Sequence, residues 1–229
     1  MTAAPAEMAP PLSVTYSYAD PGSGEVTTLT FDEFIPEEVV DQRVSEMAGF
    51  IAPLLAEHPD ETIVVPILAG GSQIMDSILQ VASISHPGIA PRVAPVKLSS
   101  YDGTSRGQLV VNQDVAKGTF AGKRVFIFDE VVDRGHTMDH LVRQRIEPEG
   151  PERVVVVTLV RKLDAHEVPV QTDIVGFDVP PDFLLGRGMD WKHRGRWIKW
   201  IGRLRDGQEA TYTMPPFPHI PLRGAVLLS

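Results

Sequence analysis

The sequence predicts an α/β fold in which a mainly parallel sheet is covered by helices on both faces. Five short runs are continuously apolar and rich in β-branched residues, and helical patterns separate them. These predicted strands are residues 62–68, 93–98, 125–128, 154–157 and 173–179. Strands without polar alternation are typical of a parallel sheet buried on both sides. Ligands of such sheets bind at the carboxyl ends of the strands, so we expect a site there.

The helices between these runs are predicted from apolar residues at three- and four-residue spacings. Residues 36–57 carry one apolar face, and Pro36, Glu37 and Glu38 suit a helix start. A second helix follows Gly70 and Gly71, and a third spans the apolar positions between Met138 and Ile146 and stops at Pro148. We expect a flexible N-terminal extension over 1–25, one domain over 26–210 and a Pro-rich tail over 211–229.

Composition limits the kinds of partner. The chain has 229 residues, is 43% hydrophobic and has a formal net charge of -9, which argues against a broad nucleic-acid surface. A local phosphate pocket remains compatible with that charge. There is no cysteine, so disulfides and cysteine-based metal sites are excluded. No apolar run approaches the roughly 18 residues of a membrane helix and no signal-peptide layout is seen, so we expect a cytoplasmic protein with no membrane partner.

The most informative segment is the end of the predicted strand 125–128, where Asp129 and Glu130 follow at once. Asp133 comes next, and Gly135 and Thr137 stand where a helix opens. A glycine turn at a helix start aims backbone N–H groups at one point, which suits a phosphate. Two acids beside that turn would repel the phosphate but could hold the hydroxyls of its sugar. A solvated acidic turn with a capping threonine gives the same pattern, and the segment alone does not decide between the two.

This segment resembles the phosphoribosyl pyrophosphate (PRPP) signature of type I phosphoribosyltransferases, a strand followed by two acids and D-T-G-x-T. Residues 67–71 are similar to the short pyrophosphate loop of that family, and residues 98–107 to its mobile S-Y loop. Residues 159–162, 173–183 and 186–190 are similar to the base-binding region of the hypoxanthine-guanine enzymes. The order of motifs spans about residues 30–205. The resemblance implies a twisted sheet with a small hood, a 6-oxopurine substrate, Mg²⁺ as cofactor, and a homodimer or homotetramer.

The resemblance also implies a role for each matched residue. Asp129 and Glu130 would hold the ribose hydroxyls, directly or through Mg²⁺, and Glu130 and Asp190 are the candidate metal ligands. Asp133 would be the catalytic residue, exchanging a proton at purine N7. The other candidate PRPP contacts are Arg134, Gly135, His136, Thr137, Ala69, Gly70, Ser100, Tyr101 and Arg196.

The candidate base contacts are Lys162, Phe183, Leu184 and Asp190. Lys162 would donate to the exocyclic O6, because an ammonium has donors and no acceptor. Phe183 would stack on the purine. Without the motif, a surface lysine is the better interpretation of Lys162, and Asp190 and Arg196 are ordinary surface charges. Phe183 fits a core residue equally well.

Three positions do not fit the family pattern: Arg134, Ala69 and His136, the last of which takes a variable loop position and could be neutral or charged near phosphate. Arg134 replaces a threonine, and its long side chain would either bind the phosphate or block the pocket. Ala69 replaces a lysine, and we expect the family's cis peptide between Ala69 and Gly70. These changes leave open a modified acceptor such as a 7-deazapurine, or a non-catalytic nucleotide-binding relative. The segment 191–200 interleaves tryptophans with cations, which fits a subunit contact or a cover over the base, and less well a nucleic-acid contact.

Overall fold

A computed structural model describes residues 12–100 and 109–205. Its strands are β1 (Ser13–Ala19), β2 (Val26–Ile35), β3 (Thr62–Pro66), β4 (Arg92–Val93), β5 (Lys97–Ser100), β6 (Leu109–Gln113), β7 (Arg124–Val132), β8 (Arg153–Lys162), β9 (Ile174–Val179), β10 (Leu184–Leu185) and β11 (Ile201–Leu204). Its helices are α1 (Glu37–Glu57), α2 (Gly70–Ser85) and α3 (His136–Asp139). A π turn over His140–Ile146 continues α3, and short 3₁₀ turns cover Pro59–Glu61 and Glu147–Glu149.

The central sheet confirms the predicted α/β fold. Five strands pair in parallel in the order β4-β3-β7-β8-β9. Side chains alternate along each strand, so one face of the sheet packs against α1 and α2 and the other against α3 and its π turn. Phe126 and Phe128 lie on the first face, while Val125 and Ile127 lie on the second. Because both faces are covered, residues 125–128 of β7 and 154–157 of β8 are continuously apolar, which is the pattern that predicted these strands.

A second sheet, the hood sheet, contains four antiparallel strands in the order β1-β2-β11-β10. Ile35, Leu184 and Ile201 join it to the core cluster of α1 and α2. The structure corrects the predicted flexible extension over 1–25, because residues 13–19 form strand β1 and pair along β2. The predicted tail over 211–229 lies outside the described residues, as does Tyr101.

Helix boundaries agree with the sequence at α1 and differ at the third helix. Pro36 is the N-cap of α1, as its position predicted. The pattern from Met138 to Ile146 folds as one short α-helical turn followed by a π turn. Pro148 lies inside the next 3₁₀ turn, where it occupies an early position that needs no N–H donor. Within the described parts of the chain, no helix combines the length and apolarity needed to span a membrane.

The start of α2 is packed directly against the carboxyl end of β7. A Cβ added to Gly71 would lie 2.2 Å from the carbonyl oxygen of Phe128 and 3.3 Å from Cα of Asp129. Both atoms belong to the central strand and cannot move independently of it. Gly71 therefore allows residues 67–71, the predicted pyrophosphate loop, to touch the strand that carries the acids.

We expect Gly71→Ala to lower the free energy of unfolding by about 2 kcal/mol, because the new methyl group overpacks a rigid backbone contact. Gly49→Ala is the matched control, since Gly49 is an exposed helical glycine whose added Cβ meets nothing within 4 Å. That control should gain about 1 kcal/mol from helix propensity. Urea denaturation of both variants measures the difference, and equal effects would contradict the close contact.

Candidate active site

A cavity of about 660 Å³ lies at the carboxyl ends of β3 and β7, where the sheet topology predicts a site. It brings together seven of the residues singled out in the sequence. These are Asp129, Glu130, Asp133, Arg134, Gly135, His136 and Thr137. Ile67 and Leu68 of the predicted pyrophosphate loop close another side. The acids, the glycine turn and the loop therefore surround one volume, whereas a merely solvated turn would have no such enclosure.

Asp129 is buried and Glu130 is partly buried near the carboxyl end of β7. Asp129 is 8% exposed, and its Oδ1 accepts a hydrogen bond from the Glu130 backbone N–H at 3.0 Å. Burial raises the pKa of Asp129 well above its ordinary value, and the neighbouring Glu130 carboxylate raises it further. Burial also raises the pKa of Glu130, although the Arg196 guanidinium opposes that shift. Two carboxylates held in a poorly solvated place are prepared to accept hydroxyl groups or a cation.

Glycines allow the backbone to close around Glu130. A Cβ on Gly70 would lie 2.1 Å from Cδ of Glu130, and one on Gly188 would lie 3.0 Å from its Cβ. Gly188 has a φ of 101°, which other residues rarely adopt. The predicted pyrophosphate loop and the loop after β10 therefore meet over this one carboxylate.

The predicted pyrophosphate loop contains the expected cis peptide one bond earlier than predicted. It joins Leu68 to Ala69 instead of Ala69 to Gly70. The Ile67 N–H donates to the carbonyl of Phe128 at 2.9 Å, and the Leu68 N–H to that of Val96 at 2.8 Å. These bonds extend the sheet pattern into the loop. Ala69 itself is exposed and has no side chain that could replace the charge of the family's lysine.

The predicted phosphate-binding loop, residues 133–137 and called the phosphate loop below, turns at Gly135, which has a φ of 90°. A Cβ there would lie 2.6 Å from Val170, so the position needs glycine for space as well as conformation. Arg134 does not fill the cavity: its side chain is 69% exposed and pairs with Glu167 at 3.2 Å. Of the two alternatives for Arg134, blocking the pocket is therefore wrong. His136 Nε2 also contacts Glu167, at 2.9 Å.

The candidate base side joins two residues that the sequence separates by a whole strand. Lys162 ends β8, next to β7, and its Nζ donates to Oδ2 of Asp133 at 2.7 Å. Lys162 is only 8% exposed, so its ammonium is buried and the ion pair with Asp133 differs from an ordinary surface ion pair. A buried ammonium beside a carboxylate offers one donor and one acceptor to a ligand that enters between them.

Phe183 and Leu184 differ in how far they are exposed to solvent. Phe183 is 44% exposed, with its ring centroid 6.0 Å from that of Phe31, so it keeps a face available. The Leu184 side chain is 5% exposed and lies in the core with α1 and α2. A base contact by the Leu184 side chain is therefore wrong, and only its backbone remains for that role.

Asp190 and Arg196 form an ion pair, and Arg196 also donates to the carbonyl of Gly188. The nitrogen that donates to Gly188, Nη1, also lies 3.9 Å from Oε1 of Glu130, so the guanidinium connects the two candidate metal ligands. The segment that holds them packs against the hood sheet, where the rings of Trp191 and Tyr18 meet edge to face at 6.2 Å. Trp197 is 78% exposed.

Sequence reasoning missed Glu167. It lies between β8 and β9, outside every motif, and is 31 residues from His136. The His136 hydrogen bond and the Arg134 charge lower the pKa of Glu167, so it remains ionised.

Ser100, a candidate contact of PRPP, is the last residue of strand β5.

The fold and the site together define a phosphoribosyltransferase. A family model described as "Phosphoribosyl transferase domain" matches residues 37–192, and the chain belongs to that family. The resemblance to type I enzymes of the hypoxanthine-guanine kind is confirmed.

Among named relatives, the hypoxanthine phosphoribosyltransferase of Escherichia coli (strain K12) is 27% identical over 176 residues, covering 76% of this chain and 96% of the relative. The hypoxanthine-guanine phosphoribosyltransferase of Dictyostelium discoideum is 28% identical over 172 residues, covering 74% of this chain and 93% of the relative. The solved Trypanosoma cruzi hypoxanthine phosphoribosyltransferase in complex with IMP has a TM-score of 0.66 at 23% identity, covering 76% of this chain and 94% of that one. At that identity the likeness establishes the fold.

The raised pKa values of Asp129 and Glu130 predict a stability that declines with pH. The folded state binds protons at these groups more tightly than the unfolded state does, so the free energy of unfolding should fall as pH rises above about 4. Asp129→Asn should flatten this fall and raise stability at neutral pH. Urea denaturation between pH 5 and pH 8 measures the free energy of unfolding of the wild-type protein and of Asp129→Asn. Parallel curves would show that Asp129 is not the buried acid responsible.

Proposed function

We propose that the protein transfers the phosphoribosyl group of PRPP to a 6-oxopurine base, hypoxanthine, guanine or xanthine, and releases pyrophosphate. The observation that carries this proposal is the arrangement around one cavity. Asp129, Glu130, Asp133 and the glycine turn at Gly135 all line it, and Lys162 is hydrogen-bonded to Asp133 at 2.7 Å. A phosphorylated pentose with a base attached needs these three kinds of contact within one volume.

The sugar phosphate fits the wall made by the loop after β7. Backbone amides of Gly135, His136 and Thr137 would hold the 5-phosphate, and the Thr137 hydroxyl adds a donor. Asp129 and Glu130 would accept hydrogen bonds from the ribose hydroxyls. The pyrophosphate group would then reach the turn at Ala69 and Gly70, and Arg196 supplies a guanidinium on that side.

The base fits the Asp133–Lys162 pair because their hydrogen-bonding capacities differ. Lys162 can only donate, so it would select the O6 carbonyl of an oxopurine over the amino group of adenine. Asp133 would accept the N7 proton of the incoming base. The available face of Phe183 would stack on the ring.

Mg²⁺ fits this site only together with the substrate. Among the described residues no cluster of three or more metal-binding side chains is present. Mg²⁺ commonly uses one or two carboxylates and completes its shell with substrate oxygens and water, which suits the partly buried Glu130 and the nearby Asp190. When bound, it would neutralise charge on the pyrophosphate that leaves.

In the reaction, a ring nitrogen of the base forms a bond to the anomeric carbon as the bond from that carbon to pyrophosphate breaks. The ribosyl group develops cationic character, which Asp129 and Glu130 would stabilise by their charge. Asp133 would accept the N7 proton of the base as the bond to the anomeric carbon forms. The predicted lid at Ser100 and Tyr101 falls largely outside the described residues, and its role in excluding water stays a prediction.

A non-catalytic relative and a modified-purine enzyme were the alternatives raised by Arg134 and Ala69. The exposed position of Arg134 weakens the first, since the cavity stays open beside it. A 7-deazapurine has carbon at position 7 and would leave Asp133 without its proton-exchange partner. The homodimer or homotetramer and the cytoplasmic location stay predictions.

A panel of bases tests the proposed reaction. With Mg²⁺ and PRPP, the protein should release pyrophosphate with hypoxanthine, guanine or xanthine at least about tenfold faster than with adenine, because adenine places a donor opposite Lys162. Faster release with a 7-deazapurine would select the modified-purine alternative. Binding of nucleotide without release for any base would select the non-catalytic one.

Asp133→Asn should lower kcat by about 100-fold, because general acid–base groups commonly contribute at least that factor. The conservative change keeps the shape of the side chain and its contact with Lys162. Asp164→Asn is the control, since Asp164 is an exposed acid on the loop just after β8. Steady-state rates with saturating PRPP measure both, and wild-type kcat in Asp133→Asn would remove Asp133 from the mechanism.

A further inference from the structure

The loop between β8 and β9 supports the phosphate loop from outside the cavity. The backbone N–H groups of Glu167 and Val168 both donate to the carbonyl of Arg134, at 3.0 and 3.4 Å. The carbonyl oxygen of Val168 would lie 3.0 Å from a Cβ on Gly135. The shape of the turn at Gly135 therefore depends on a segment about thirty residues further along the chain.

The Glu167 carboxylate joins the two side chains that flank Gly135. Oε1 lies 3.2 Å from Nη1 of Arg134, and Oε2 lies 2.9 Å from Nε2 of His136. One oxygen serves each partner, so a single side chain fixes the loop on both sides of its glycine. Arg134 and His136 also line the cavity, whereas Glu167 does not.

We propose that Glu167 is a positioning residue for the 5-phosphate of the phosphorylated pentose, acting through Arg134 and His136. This inference rests on the proposed function. The carboxylate holds the loop in the shape that aims its backbone amides into the cavity, and it keeps the Arg134 cation at the rim. The phosphate then binds to a loop that is already ordered, so less conformational entropy is lost on binding.

The solvent exposure of Arg134, Glu167 and His136 limits what their ion pairs contribute to the stability of the fold. The side chains of Arg134, Glu167 and His136 are 69%, 53% and 50% exposed, and ion pairs at such exposure add little to the stability of a fold. The carboxylate would also repel a phosphate dianion if it acted by charge alone. The two roles give opposite signs: a positioning residue tightens phosphate binding, whereas a competing anion weakens it.

Binding of ribose 5-phosphate, measured by calorimetry, separates these roles without requiring turnover. Glu167→Gln should raise the dissociation constant by about fivefold, and this effect should shrink to about twofold in an Arg134→Thr background, because half of the linkage is already lost. The KM for PRPP should rise by the same factor with kcat unchanged. Glu61→Gln is the matched control, since Glu61 is 55% exposed and pairs with His58 at 3.8 Å, at the opposite end of the sheet. That control should change neither constant.

An unchanged or lower dissociation constant in Glu167→Gln would overturn the inference, as would a lower Tm with unchanged affinity. The full fivefold effect in the Arg134→Thr background would also overturn it. Nucleotide formation by the wild-type protein tests the proposed function separately. A protein that binds ribose 5-phosphate with the expected Glu167 dependence but forms no nucleotide would keep this inference and reject the proposed reaction.

Discussion

The site depends on two adjacent carboxylates that the central strand β7 carries into a poorly solvated place. Placing Asp129 and Glu130 side by side and burying them disfavours their charged forms, and the direction of both pKa shifts follows from that. This placement of the two acids opposes folding. It is maintained because the pairing of β7 with its neighbouring strands fixes where both side chains lie. The unfavourable interaction is reduced when hydroxyl groups or a cation enter the cavity, so ligand binding and stability are coupled at this point.

The neighbouring loops are arranged around the same strand end. Gly71 touches the main chain of β7, while Gly70 and Gly188 leave space for the Glu130 side chain. Arg196 joins the loop after β10 to that carboxylate and to Asp190. On the other side, the phosphate loop is a direct continuation of β7, and Lys162 arrives from the adjacent strand. The distances across the cavity are therefore set by the parallel sheet and by glycines that permit close approach.

Much of this arrangement could be predicted because its signals are local. The apolar strands, the acids at the end of β7 and the glycine turn are contiguous in the sequence, and the carboxyl ends of parallel strands necessarily meet. Strand β1 also had a local signal, since Val14, Tyr16 and Tyr18 alternate with polar residues, but the Pro-rich start of the chain favoured an extension. The burial of Leu184 could not be predicted, because it depends on how the hood sheet packs on α1. Glu167 could not be predicted either, because an exposed acid in a loop has no pattern until the loop is placed beside Arg134.

Calorimetric titration with PRPP and Mg²⁺ tests the central claim most directly, when it is repeated in buffers of different ionisation enthalpy. We expect binding with a net release of protons, since the raised pKa values of Asp129 and Glu130 should fall as the ligand's hydroxyls and cation meet them. Asp129→Asn should reduce that release. Absence of PRPP binding, or binding with no proton release, would contradict the claim that these two buried acids receive the ligand.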